Sequence, residues 1–295
     1  MSDMMFGEEK NIFLEGRPCA GAGEVNSMTT IDLGTFQRIS LFGGIYSNYL
    51  SLLEAIEMSR ARGVDAMIAL GDFGAFGPYP DRTVEILREA TLPAIQGNYE
   101  ESLSSGADDC HCGYTDPRDN AFAQISYDYT REKTAAAHKA WMATLPRHLR
   151  ITIAGKRLLL CHGSPRKINE FLWETATPRP FIEKLLSDHA ADLIVCTHTG
   201  LPWKRFTGPG RGVVNVGALG RPANDGRTNV WFAILEERAG DVAVELVPVD
   251  YDHPRLAREM RSEGLPKEFV ETIETGWWTT CLEILPAKER ARGRF

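Results

Sequence analysis

The 295 residues carry 33 Lys and Arg against 40 Asp and Glu, a net charge of −7, with 43% hydrophobic and 25% charged residues. This is the composition of an ordinary globular protein, and without a basic block it argues against nucleic-acid backbone binding as the main business. No apolar run reaches the roughly 18 residues needed to span a bilayer. Asp3, Glu8 and Glu9 precede any apolar run, so the N-terminus does not read as a signal peptide. The six cysteines are too sparse for a disulfide scaffold, and a reducing cytoplasm is the expected home.

Residues 1–35 mix Gly, Ser, Thr and acids with little periodicity and read as an irregular arm. Residues 38–44 form a strand ending in glycines, after which Asn48 opens a helix with apolar positions at Leu50, Leu52, Leu53, Ile56 and Met58. A second strand, 64–70, runs into Gly71-Asp72-Phe73-Gly74, followed by a helix over 81–90. A short strand over 92–95 ends at Gln96-Gly97-Asn98-Tyr99-Glu100. This β-α-β-α-β rhythm predicts a largely parallel sheet flanked by helices. Residues 101–129 break it as a long polar loop, a kind of segment that is usually functional or disordered. Its aromatics and cysteines argue against disorder, leaving a surface excursion or a functional loop. A helix over 130–144 leads to a hairpin, 149–153 and 157–161, that ends at His162-Gly163-Ser164-Pro165. A helix over 179–189 feeds a strand over 192–196, which ends at Thr197-His198-Thr199-Gly200. Three β-rich segments follow (212–216, 229–235 and 242–249), then helices over 253–263 and 266–275 and a packed segment over 277–285. With no repeat or linker, the expected organisation is an arm (1–35), a main domain (36–250) carrying the inserted loop 101–129, and a helical extension (251–295) packed on the same domain.

Four predicted strands each end in a small residue followed by a potential ligand: Asp72, Asn98, His162 and His198. Each alone has a plain structural role, as a turn cap or as a histidine bonded to backbone. Four in series point to one metal site. One carboxylate, one amide oxygen and two imidazoles suit Mn, Fe or Zn better than Ca, and exclude a thiolate-type structural zinc. Cys161 and Cys196 precede the two histidines, and strand alternation turns Cys161 away from the site. Cys110-His111-Cys112 lacks the usual two-residue zinc spacing and is not read as a metal motif, although the loop can still lend a ligand.

From about Arg38 to Leu235 the series resembles the calcineurin-like metallophosphoesterase family, in its bacterial phosphodiesterase-like branch. Gly71-Asp72-Phe73-Gly74, Gly97-Asn98-Tyr99-Glu100, Leu159-Leu160-Cys161-His162-Gly163-Ser164-Pro165 and the turn Asn215-Val216-Gly217-Ala218-Leu219-Gly220-Arg221-Pro222 carry the likeness. The resemblance implies an α/β fold, a two-sheet β-sandwich flanked by helices in four αββα layers, and hydrolysis of phosphoesters with two metals. The departures are pointed. Gly44 and Tyr46 replace both ligands of the first motif, Gly200 replaces the second histidine of the last, and Tyr99 stands where a histidine is expected. In the family the three lost ligands belong to one metal, so the surviving Asp72, Asn98, His162 and His198 imply a single divalent ion (Mn, Fe or Zn). Tyr99, Glu100 and His111 are the candidate catalytic residues, with Tyr46, Asp108 and Asp119 as further sources of assistance. The expected activity is a phosphatase or phosphodiesterase acting on a small phosphorylated molecule, with neither nucleic acid nor membrane as partner. The alternative is a degenerate member that binds metal or phosphate as a sensor or partner module.

Overall fold

The computed structural model describes residues 30–293. In chain order its elements are β1 (Thr30–Thr35), β2 (Arg38–Phe42), α1 (Tyr49–Ala61), β3 (Ala66–Ala69), α2 (Pro80–Glu89), α3 (Asn98–Ser105), α4 (Pro117–Lys133), α5 (Ala136–Met142), β4 (His148–Ile153), β5 (Lys156–Leu160), α6 (Arg179–Asp188), β6 (Leu193–Cys196), β7 (Pro202–Gly208), β8 (Arg211–Val216), β9 (Val230–Arg238), β10 (Asp241–Val249), α7 (His253–Ser262), α8 (Lys267–Thr275) and α9 (Ala287–Arg290). One sheet has the order β10-β9-β2-β3, the other β1-β4-β5-β6-β8-β7.

The central strands are apolar on both faces, and each face has its own partner. Ile39 and Leu41 of β2, Leu158 and Leu160 of β5, and Leu193 and Val195 of β6 meet between the two sheets. The alternate residues point outward: Phe42 and Ala69 pack with α1, α2, α7 and α8, while Leu159, Cys161, Ile194 and Cys196 pack with α6. A strand period of two thus generates both layers of the sandwich and both helical covers from one set of residues. Cys161 faces away from the site, as alternation requires.

The sheets are mixed rather than largely parallel, the strand pairings dividing evenly between the two senses. The reason is local. β4 and β5 are joined by Ala154 and Gly155 (φ 51° and 70°), and β9 and β10 by Ala239 and Gly240 (φ 52° and 79°). Two consecutive positive φ angles make the tight turns that close antiparallel hairpins.

Other departures from the sequence reading have equally local causes. Of the predicted arm, 1–29 lies outside the described residues, whereas Thr30–Thr35 is an exposed strand paired in parallel with β4. The predicted strand at 92–95 contributes a single bridge, Ala69 to Ala94. Most of the supposed loop 101–129 is helical: α3 continues to Ser105, and α4 starts at Pro117 behind Asp116, whose side chain accepts from the backbone N–H of Arg118 and Asp119. Both helices bury polar residues, so neither shows an apolar stripe. In α4 the hydroxyls of Thr130 and Ser126 accept the backbone N–H of Ala75 and Phe76 at 3.1 and 2.8 Å. β7 was not expected at all, since Lys204 and Phe206 both lie on its exposed side of the alternation.

The segment after α8 is anchored to α4. Buried Asp119 accepts the backbone N–H of Cys281 at 2.8 Å and of Glu283 at 3.1 Å. Asp119→Ala leaves the buried N–H of Cys281 unpaired and also frees the part-buried N–H of Glu283, and should cost about 1–3 kcal/mol for the buried group, lowering the thermal transition. Exposed Asp108→Ala should leave the transition within the roughly 0.5 kcal/mol expected of surface changes. Equal transitions in the two variants would refute the anchoring role.

Candidate metal centre

The site begins with two glycines. Gly71 has φ +87°, and a Cβ there would stand 2.2 Å from the backbone nitrogen of Gly97; a Cβ on Gly97 would stand 2.4 Å from Asp72 Oδ1 and 2.9 Å from His162 Cε1. Only glycine at both positions lets the turn after β3 lie against the turn before α3. The contact is fastened by Glu100, whose buried carboxylate accepts three backbone N–H groups: Asp72 at 2.7 Å, Phe73 at 2.8 Å and Gly97 at 2.7 Å.

On this base the side chains converge. The backbone N–H of Tyr99 donates to Asp72 Oδ1 at 3.2 Å, while Asp72 Oδ2 lies 3.2 Å from His162 Nε2. His162 Nε2 is in turn 3.1 Å from His198 Nδ1. His162 Nδ1 donates to the carbonyl of Leu70 at 2.7 Å, which fixes the ring and aims Nε2 at the cluster. Phe171 packs on the His198 ring at 4.3 Å between centroids. Ligand atoms of Asp72, His162 and His198 all lie within 4.8 Å of one another, and all three residues are buried. Asp72 and His198 hold positive φ (56° and 66°), backbone conformations uncommon outside glycine and concentrated at functional sites.

The donors fit a divalent cation. Asn98 is fully buried; its Nδ2 donates to the carbonyl of Cys110 at 2.8 Å, which leaves Oδ1 aimed elsewhere with no hydrogen-bond partner. A buried acceptor left unpaired is costly unless a ligand takes it. His198 is pushed down to about 3 by burial and by neighbouring His162, so it is a neutral imidazole with a free lone pair. Burial opposes charge on Asp72 and His162 alike. Their mutual attraction prevails, holding Asp72 below the usual carboxylate range and raising His162. The cluster is thus an anionic oxygen facing imidazole nitrogens, the setting in which a cation competes with a proton.

At Gly44 and Gly200, two of the four positions that depart from the family pattern, an aromatic ring lies where a side chain would begin. The Tyr46 ring folds back over Gly44, where a Cβ would stand 2.8 Å from the ring and 3.0 Å from Ala218. A Cβ on Gly200 would meet the Trp278 ring at 3.3 Å. The space in which further ligands would stand is therefore occupied by aromatic side chains. Beside the cluster lies a cavity of about 60 Å³, lined by Asp72, His198, Tyr46, Tyr99, Cys112, Tyr114, Arg221, Thr280 and Cys281 among others.

The predicted catalytic residues fare differently from the metal ligands. Tyr99 lines the cavity, but its hydroxyl donates to Ser126 at 3.0 Å and burial keeps the phenol protonated. Glu100 is a correction: burial and the Asp72 charge push it up to about 7, yet both oxygens accept backbone N–H groups and the residue is fully buried and does not line the cavity, so it positions the site. His111 is a second correction. Its side chain is 61% exposed beside Asp109, with Nδ1 3.2 Å from Ser102 Oγ, and lies outside the cavity. Asp119 is spent on the C-terminal segment and Asp108 is fully exposed. The loop does cover the cavity, through Cys112 and Tyr114, with Cys112 joined to Cys110 in a disulfide. Sequence reasoning missed Cys112, Tyr114, Arg221, Thr280 and Cys281 as wall residues, although Cys112 and Arg221 lay within stretches already singled out.

Comparison with known proteins agrees with this fold. Residues 47–240 match the profile of the calcineurin-like phosphoesterase superfamily domain. An uncharacterized protein of Methanocaldococcus jannaschii is 22% identical over 255 residues, covering 81% of this chain and 98% of its own. Among solved structures, a metallophosphoesterase from Sphaerobacter thermophilus superposes with a TM-score of 0.62 at 22% identity, covering 82% of this chain and 99% of that one. A hypothetical protein from Pyrococcus horikoshii superposes with a TM-score of 0.69 at 20% identity, covering 83% and 100%. The fold, the ordered motifs and a profile match over well over half its length place the chain in the calcineurin-like phosphoesterase superfamily.

Proposed function

We propose that the protein is a metal-dependent phosphoester hydrolase for a small phosphorylated molecule, using one divalent ion held by Asp72, Asn98, His162 and His198. The observation that carries this reading is the buried cluster of one carboxylate and two imidazoles beside an unpaired amide oxygen, opening on a cavity. When bound, Mn, Fe or Zn supplies polarisation of a phosphoryl oxygen and activation of water. The chain supplies the rest. Leu70 keeps Nε2 of His162 directed at the cluster, the N–H of Tyr99 orients Asp72, and Cys110 turns the Asn98 amide. In the reaction the water oxygen forms a new bond to phosphorus, the ester P–O bond breaks, and a proton passes to the leaving oxygen. The Tyr46 phenol, raised above its ordinary range first by burial and then by the Asp72 charge, serves as a hydrogen-bond donor and not as a base.

A second reading, a metal- or phosphate-binding module without turnover, is favoured by one observation: among the described residues, the two expected bases do not face the cluster, since Glu100 accepts backbone N–H groups and His111 is outside. The two readings separate on turnover.

Wild-type protein should bind about one ion per chain. Asp72→Ala, His162→Ala and His198→Ala should each lose most of it, measured by elemental analysis; unchanged content in all three would sink the site. Gly44→Asp alone should leave the stoichiometry at one, because its side chain enters the space of Tyr46 and Ala218. A folded Gly44→Asp protein binding two ions would contradict this.

Hydrolysis of an aryl phosphate should be slow, lost on chelation, restored by added metal, and absent in Asp72→Ala. If neither a phosphomonoester nor a phosphodiester is cleaved above the rate with metal alone, the binding-module reading stands instead.

A further inference from the structure

Of the residues lining the cavity beside the cluster, Arg221 is the one that carries a fixed positive charge. It is 7% exposed. One Nη donates to the carbonyl of Thr280 at 2.6 Å. The guanidinium stacks on Trp278 at 3.8 Å and lies 5.3 Å from the Phe76 centroid. Nε is buried without a hydrogen-bond partner, and among the described residues no carboxylate forms an ion pair with this side chain. Asp119, whose charge is felt at Arg221, has already given both oxygens to backbone N–H groups. A guanidinium has five donors in a planar fork suited to phosphoryl oxygens. To bury that charge with donors unspent is expensive unless an anion completes the site.

Its place in the site says which anion. Trp278, which stacks on the guanidinium, is the ring packed over Gly200, and Tyr46, the ring folded over Gly44, feels the Arg221 charge. The cation therefore stands among the three positions at which ligands of a second metal are replaced. We propose that Arg221 binds the phosphoryl oxygens of the substrate and of the phosphate product, supplying from a side chain the second positive charge that the site lacks. This rests on the phosphoesterase reading above, and it assigns the cavity to a phosphoryl dianion rather than to the organic part of the ester.

The test is titration of metal-loaded protein with inorganic phosphate by calorimetry, alongside metal content and thermal transition. Arg221→Gln should keep its metal and lose about 10- to 100-fold in phosphate affinity, the size expected for hydrogen bonds to a charged group. Arg221→Met, whose unbranched apolar chain fills the space between Phe76 and Trp278, serves the same purpose should the glutamine variant not fold. Arg221→Lys should recover part of the affinity. Phosphate binding as tight as wild type in Arg221→Gln or Arg221→Met overturns the proposal, and so does a lysine variant no better than methionine, which would mean that the side chain only supports the wall. If wild type binds phosphate through Arg221 yet cleaves no phosphoester, Arg221 stands and the hydrolase reading falls. If wild type cleaves phosphoesters and Arg221→Gln binds phosphate normally, the reverse holds. A wild-type protein that neither binds phosphate nor cleaves esters removes both.

Discussion

One buried carboxylate ties the site together. Glu100 gathers the backbone N–H groups of Asp72, Phe73 and Gly97, and so joins the turn after β3 to the first turn of α3. Within α3 it stands at the third position, where its carboxylate accepts the N–H of the N-cap residue Gly97 and faces the positive end of the helix. The glycines at 71 and 97 make the approach sterically possible, and the Glu100 bonds make it favourable. Without that junction Asp72 and Asn98 would belong to separate loops. With it they stand on one base, against which the strand ends carrying His162 and His198 complete the cluster.

The altered positions read as a coordinated rebuilding. Replacing a ligand by glycine would leave a polar hollow beside buried charges, but here each hollow has an occupant. Tyr46 covers Gly44, Trp278 covers Gly200, and Arg221 stacks on Trp278 and lines the same cavity as Tyr46. The occupants come from distant parts of the chain, and the C-terminal one is held by Asp119 in α4 and by the Trp278 indole bonded to the carbonyl of Pro222 at 2.6 Å. The glycine at 200 is thus matched by an aromatic side chain that the folded C-terminal segment provides.

Much of this was legible in the sequence because it follows from strand alternation. A strand that is apolar on both faces and ends in a small residue followed by a polar one puts that polar residue at the rim of a sandwich, and Asp72, His162 and His198 do come together there. What failed to show were polar residues buried through backbone contacts. Glu100 next to a candidate ligand looked like a reactive acid, because sequence does not reveal three amides pointing at it. α3 and α4 looked like loop because Ser126 and Thr130 bury themselves by accepting N–H groups, a stabilisation invisible to apolar periodicity. His111 in a Cys-His-Cys run looked chemically active, yet it is the flanking Cys112 that faces the cavity. Arg221 lay in a recognised turn, but nothing in the sequence tells a surface arginine from a buried one.

The cavity beside the cluster is closed by two separate parts of the chain. That wall is made of Tyr114 from the loop before α4 and of Thr280 and Cys281 from the C-terminal segment. The carbonyl of Thr280 is bonded to Arg221 and the backbone N–H of Cys281 to Asp119. The wall is therefore fastened at two points, Thr280 through Arg221 and Cys281 through Asp119. The arginine proposed to meet the phosphoryl group also holds one part of the wall, so anion binding and that part of the boundary are coupled through a single side chain.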